Sequence, residues 1–304
     1  MVDSGGGCFF SIDGIGNKCQ HNFLTSNDKG FMGFTHALSG VAVLAFILAF
    51  HPNLFDATIG AESVPLLILF FLVVAGGALV PDLDNTTSRA KSSLGFAGGA
   101  VSAVFRASSV VLQTSISTKY DDHDPNPHRG AWHSPFFQGI LALAVYALSK
   151  NDFLTLNLPN LGKVTIGWVF SIAFTVILVH IGISGLFHKY IKKIKGSSAL
   201  GEIVAIGLTL VVTLGLYSML PETVTNVPNT WLPFGFFVGM VIHSIGDSFT
   251  TAGCPLLAPI PFKGKIWYNF RIPPHIKAGG PAENYLFIPL LSLITILSFV
   301  KILV

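Results

Sequence analysis

Charge is what this sequence has least of. Only 11% of its 304 residues are Asp, Glu, Lys or Arg, against about 25% in soluble globular domains. A chain so poor in charge cannot cover a water-soluble globule, and it lacks the low hydrophobicity that intrinsic disorder requires. Cysteine is also scarce. Cys8, Cys19 and Cys254 form no C-x-x-C pair, so neither a disulfide framework nor a common zinc module is expected. No basic run with interleaved aromatics points to nucleic acid. Residues 1–32 are polar and Gly-rich, with no apolar core behind basic residues; they read as a flexible N-terminal extension rather than a cleavable signal peptide.

What is present is long apolar sequence. Mean hydropathy is +0.65, and apolar runs cover roughly 33–50, 63–81, 134–149, 163–187, 199–219, 231–250 and 285–303. Most reach the ~17–25 residues that cross a bilayer as a helix. The expected fold is therefore all-α, a polytopic transmembrane helical bundle of about seven spans, with residues 33–304 as one membrane domain. A weaker run, 94–113, carries Arg106 among Gly, Ala and Ser and reads as an interfacial or re-entrant helix. Seven spans with a cytoplasmic N-terminus leave only Lys150, Lys163 and Lys301 of the 18 Lys and Arg residues outside the cytoplasmic segments, as the positive-inside rule demands.

Four short clusters then fall at one membrane boundary: His36 at the start of the first span, Asp82 and Asp84 at the end of the second, His128-Arg129-Gly130-Ala131-Trp132-His133 before the third, and His243 with Asp247 near the end of the sixth. Taken singly they have ordinary explanations. His36 caps a helix, and Pro81 with its two Asp ends a span. His243 and Asp247 are stronger, because a spacing of four puts both on one helical face inside an apolar run, where ionisable groups are costly and usually functional. Together, three Asp and up to four His at one depth suit a divalent metal. Imidazole favours zinc, and carboxylates admit manganese or magnesium. The number of candidates exceeds one tetrahedral site with an open position, so one or two ions are expected, with Asp82 and Asp84 in extended chain reaching different ions. Other polar residues weigh less. Asp121, Asp122, His123 and Asp124 read as a solvated loop, Glu202 and His180 as helix packing, and Lys189 to Lys195 as a juxtamembrane lipid anchor. Arg129, Arg271, Lys263 and Lys265 could hold an anionic substrate.

These motifs resemble the YdjM-like family of LexA-binding, inner-membrane-associated, metal-dependent hydrolases. The family pattern runs as an N-terminal His, then Leu-Pro-Asp-x-Asp, His-Arg-Gly-x-x-His-Ser, and Ser-His-x-x-x-Asp before a Pro-rich apolar stretch. Here it is matched by His36, by Val80-Pro81-Asp82-Leu83-Asp84, by His128 to Ser134, and by His243 to Asp247 followed by Thr251 to Pro259. Arg271-Ile272-Pro273, Gly279 and Glu283 continue the likeness. Val80 and Trp132 depart from the usual residues, and segments 1–32 and 150–230 are longer than in small members. A more distant similarity is to the helical zinc-dependent phospholipase C architecture.

The resemblance implies a hydrolase in the bacterial inner membrane. His36, Asp82, Asp84, His133, His243 and Asp247 would bind metal. His128 would be a further ligand or a general acid, Arg129 would stabilise developing negative charge, and Arg271 with Glu283 would meet substrate. A site at headgroup depth makes a phosphoester or lipid-like molecule the expected substrate, and membrane lipid rather than nucleic acid the expected partner. The rivals are an ion- or proton-coupled transporter, whose site belongs near the midplane, and a non-catalytic scaffold tied together by metal.

Overall fold

The computed structural model describes residues 32–51, 64–121, 129–158, 162–187, 199–220 and 230–303. The N-terminal extension and His128, Asp122, His123, Asp124 and Lys189 to Lys195 lie outside the described residues. The protein is mostly helical. The elements are α1 (Met32–Phe50), α2 (Val64–Gly77), α3 (Arg89–Ser93), α4 (Gly95–Ile116), α5 (Pro135–Ser149), α6 (Ile166–Leu186), α7 (Ala199–Ser218), α8 (Trp231–Ser248) and α9 (Ile288–Leu303). A two-stranded antiparallel hairpin, β1 (Thr155–Leu158) and β2 (Gly162–Thr165), precedes α6. It departs from the all-α expectation. Its strands pair in register from Thr155 against Thr165 to Leu158 against Gly162, and Thr165 then caps α6 by accepting from the Trp168 N–H.

Helix α2 is the centre. It is apolar on every side, as a helix must be when it is surrounded by other helices or lipid, and α1, α6 and α8 all pack on it. Small residues let the backbones approach. A Cβ on Gly76 would fall on the Leu178 carbonyl of α6, and one on Gly239 of α8 would fall on the Val74 carbonyl of α2. Gly235 and Gly239 form a G-x-x-x-G face, the usual device of helix pairs in bilayers, where close van der Waals contact replaces the hydrophobic drive. Helix α9 lies against α1, α7 against α6, and α5 against α8 and α6.

By length and composition, five segments could cross a membrane: Gly33–Phe50, Val64–Asp84, Gly95–Ile116, Ile166–Leu186 and Glu283–Ile302. The expected number was seven. Pro135–Ser149 and Ile203–Ser218 are apolar but shorter, and in α8 the polar residues His243, Ser244, Asp247 and Ser248 dilute an otherwise apolar helix. Residues 94–113, expected as an interfacial helix, form α4, which is among the five and is largely exposed. It borders a cavity shared with Val145, Phe174 and Phe236 and also touches the segments around the site. Gly98 abuts the Lys91 carbonyl. The Phe105 carbonyl and Ser108 hydroxyl both accept from the Trp132 indole N–H. Ser109 accepts from the Ala131 N–H.

Candidate metal centre

Four segments bring the site together at the end of α2. The chain leaves α2 through a 3-10 turn, Pro81–Asp84. Pro81 sits at its first position, where a missing N–H costs nothing. Three residues per turn point Asp82 and Asp84 in different directions, and both address one imidazole. Asp82 Oδ1 lies 3.7 Å from His133 Nε2, and Asp84 Oδ2 lies 3.9 Å from His133 Nδ1. The extended chain expected for this pair, with each Asp serving its own ion, is replaced by a tight turn that brackets His133.

His133 ends a second 3-10 turn, Ala131–His133. Arg129 enters it in the left-handed region at φ 68°. Gly130 has no room for a side chain, because a Cβ there would overlap Ser109 Oγ and the Gln113 amide of α4. The turn is held further by Gln138, fully buried, which donates to the Trp132 carbonyl at 2.8 Å and to Ser244 Oγ at 2.6 Å. Cys254 Sγ lies 3.1 Å from the His133 carbonyl.

His243 and Asp247, one turn apart on α8, complete the cluster. His243 Nδ1 is 2.7 Å from the Ala78 carbonyl. A carbonyl only accepts, so Nδ1 carries a proton, and Nε2 is the nitrogen left to face a metal. That buried Nε2 has no hydrogen-bond partner among the described residues. It faces Asp247 Oδ2 at 3.5 Å and Asp82 Oδ1 at 3.7 Å. His133 Nε2 faces the same two carboxylates at 3.7 Å each. Ligands at ~2.0–2.1 Å around a tetrahedral ion stand roughly 3.3–3.4 Å apart. Each of the two Nε2 atoms thus lies 3.5–3.7 Å from both carboxylate oxygens, slightly wider than ligand spacing around an ion and too far for good hydrogen bonds. Asp82, His133 and His243 can hold a metal, as can His36, His243 and Asp247. Because Nδ1 of His243 is engaged by Ala78, its single free nitrogen serves one of these groups at a time.

His36 stands at the other side of Asp247. Its ring stacks on His243 with centroids 4.0 Å apart, and its Nε2 lies 3.3 Å from Asp247 Oδ1. Gly246 makes room, since a Cβ there would press on the His36 ring at 3.3 Å.

The YdjM inner membrane protein family matches residues 31–183 and 202–302. The chain belongs to the YdjM family. No curated protein and no solved structure matches it. All four segments of the YdjM chain that carry the cluster fall inside the matched ranges.

Arg129 does not stand free for substrate. Its Nε pairs with Asp247 Oδ2 at 3.0 Å, and one terminal nitrogen donates to Thr250 Oγ1 at 2.7 Å and to the Gly253 carbonyl at 3.0 Å. It fixes Asp247 instead. Glu283, also buried, accepts from the Thr35 hydroxyl and from the Gly279 N–H at 2.6 Å, so it ties α1 to the loop before α9. Arg271 is exposed, its side chain against Gly253. His180 lies between Thr209 and the Ser93 carbonyl, at 3.0 and 2.9 Å, and packs helices as expected. Asp121, expected as a solvated loop residue, is buried. It accepts from the N–H groups of Thr118, Ile266 and Trp267. Burial opposes its ionisation, but those donors win and hold the carboxyl below its usual value. The residues that sequence reasoning missed are Gln138, Ser109, Thr250 and the Ala78 carbonyl. None is ionisable and one is backbone, so no motif announced them.

Proposed function

We propose that this protein is a membrane-embedded, metal-dependent hydrolase whose site opens at the cytoplasmic face and whose substrate is a phosphoester of a lipid-like molecule. The observation that carries this is the set of four donor atoms, His133 Nε2, His243 Nε2, Asp82 Oδ1 and Asp247 Oδ2, at 3.5–3.7 Å. Two imidazoles with two carboxylates favour zinc, with manganese or magnesium as alternatives. When bound, such an ion lowers the pKa of a coordinated water toward ~7 and polarises a phosphoryl oxygen.

The chain's own residues do the rest. Asp84 faces the far nitrogen of His133 and the Ala78 carbonyl fixes His243, the outer contacts that orient metal-binding imidazoles. Arg129 and His36 grip the two oxygens of Asp247. His128, next to Arg129 in sequence, is a further ligand or the general acid of this proposal.

Exposure argues against a purely structural metal. Side chains of His133, His243 and Asp247 are at most 2% exposed, while Asp82 is 20% exposed, so the cage can be reached along its Asp82 edge. Purified protein should contain stoichiometric metal and cleave members of a phosphodiester and phospholipid panel. Asp82→Ala and His243→Ala should lose both properties; full activity and metal content in these variants would end the hydrolase reading.

A further inference from the structure

A groove runs from the cluster into the bundle between α1, α8 and the segment leading into α9. Its cavity is about 200 Å³, narrower than the ~300–1,000 Å³ that encloses a whole small molecule, and so suited to a segment of a single chain. Its lining changes along its length. At the site end stand His36, Thr250 and Glu283; beyond them come Ser39 and Val43 of α1, Ile242 of α8, and Phe287 and Leu291 toward α9. From His36 to Val43 the slot follows α1 for about 10 Å at 1.5 Å per residue. Glu283, Phe287 and Leu291 are spaced by four and share one face. An adjoining face of this outer wall, about a quarter turn round the helix, carries exposed Leu286, Leu290, Leu293 and Leu297, the surface of a helix that meets hydrocarbon. The polar end has cations nearby. Lys277, exposed, sits between the lining residues Ile276 and Ala278, and Arg89 reaches Gly33 on α1 and interacts with Glu283.

We infer that this groove binds one acyl chain of an anionic membrane phospholipid, headgroup toward His36, and that this phospholipid is the substrate class of the proposed hydrolase. The last clause rests on the hydrolase reading; the lipid site does not. Two of the slot's walls, Gly33–Phe50 and Glu283–Ile302, are long and apolar enough to cross a membrane. It is apolar at depth and ionisable only at the end that meets the metal cluster. A soluble polar ligand would leave most of this lining unsatisfied. A phospholipid lays its acyl chain on the apolar lining and brings its phosphate to the end formed by His36, Thr250 and Glu283, where Arg89 beside Glu283 and the exposed Lys277 offset the carboxylate.

The test uses the full chain in proteoliposomes with a phosphatidylglycerol bearing a diazirine on one acyl chain. Peptides from α1 and α9 should be photolabelled, and excess unlabelled phosphatidylglycerol should compete the labelling away. Val43→Trp and Leu291→Trp, which fill the slot, should each cut it at least fivefold, while Leu290→Trp on the outer face should leave it unchanged. Metal content is measured in parallel. Labelling that survives both filling variants and competition overturns the inference, as does equal labelling by a diazirine diacylglycerol lacking phosphate. Labelled, competable protein without metal would leave the groove standing and remove the hydrolase reading; metal without competable labelling would do the reverse.

Discussion

At the scale of single residues, the roles separate by which atom is already engaged. His243 has one nitrogen spent on Ala78 and one offered to the cage. His133 presents Nε2 to the same carboxylates and Nδ1 to Asp84. Replacing an outer-shell partner typically costs 10–100-fold in metal affinity. Asp84→Asn should therefore weaken binding by about that factor while retaining metal at saturation, whereas His133→Ala should abolish binding; metal titration of stripped protein separates the two. Asp121 acts at a distance from the cage. Its carboxyl is held below the ordinary value, so its stabilisation is fully present above the unfolded pKa of ~4 and is lost as pH falls through the lower folded value. Hydrogen bonds to a charged group are worth about 1.5–3 kcal/mol. Asp121→Ala should lower stability by about that amount at pH 7. The gap from wild type should close as pH drops below about 4, as read from unfolding midpoints in detergent between pH 3 and 7.

At the scale of elements, glycines set how closely helices meet. Gly239 lies against the backbone of α2, whereas a Cβ at Gly99 of α4 meets nothing within 4 Å. Backbone cannot yield, so Gly239→Ala should cost about 1–3 kcal/mol or more by overpacking. Gly99→Ala should gain about 0.5–1 kcal/mol from helix propensity; melting midpoints of the purified variants decide. Helix α4 shows where sequence reading stops. Its apolar content fits a span, yet Gly98, Phe105 and Ser109, spread over roughly 16 Å of helix, all contact segments at the site end of the bundle. With Cys8 and Cys19 replaced by Ser, Ser92→Cys and Lys119→Cys, exposed on either side of α4, should react with an impermeant maleimide from the same side. Reaction from opposite sides would make α4 a span.

At the scale of the molecule, the membrane class, the family and the membership of the cluster were legible in the sequence. Charge is so rare that each buried Asp or His had to have a reason, and His36, Asp82, His133, His243 and Asp247 do converge. The number of spans was less legible, because apolar length does not separate a helix that crosses from one that lies in the interface or stops short. The 3-10 geometry at Asp82 and Asp84 was invisible for another reason: two apart reads the same in an extended strand and in a tight turn until tertiary contacts choose. The diversion of Arg129 from substrate to Asp247 was equally hidden, since its partners Thr250 and Gly253 lie more than a hundred residues away.

The engagement of His243 by the Ala78 carbonyl has a mechanical consequence. Ala78 lies just after α2, one residue beyond the glycine pair that locks this helix to its neighbours. The orientation of a metal-facing imidazole is therefore slaved to the seating of the central helix. A shift of α2 along α8 by a fraction of an ångström would turn that ring, so whatever seats the central helix also aims His243.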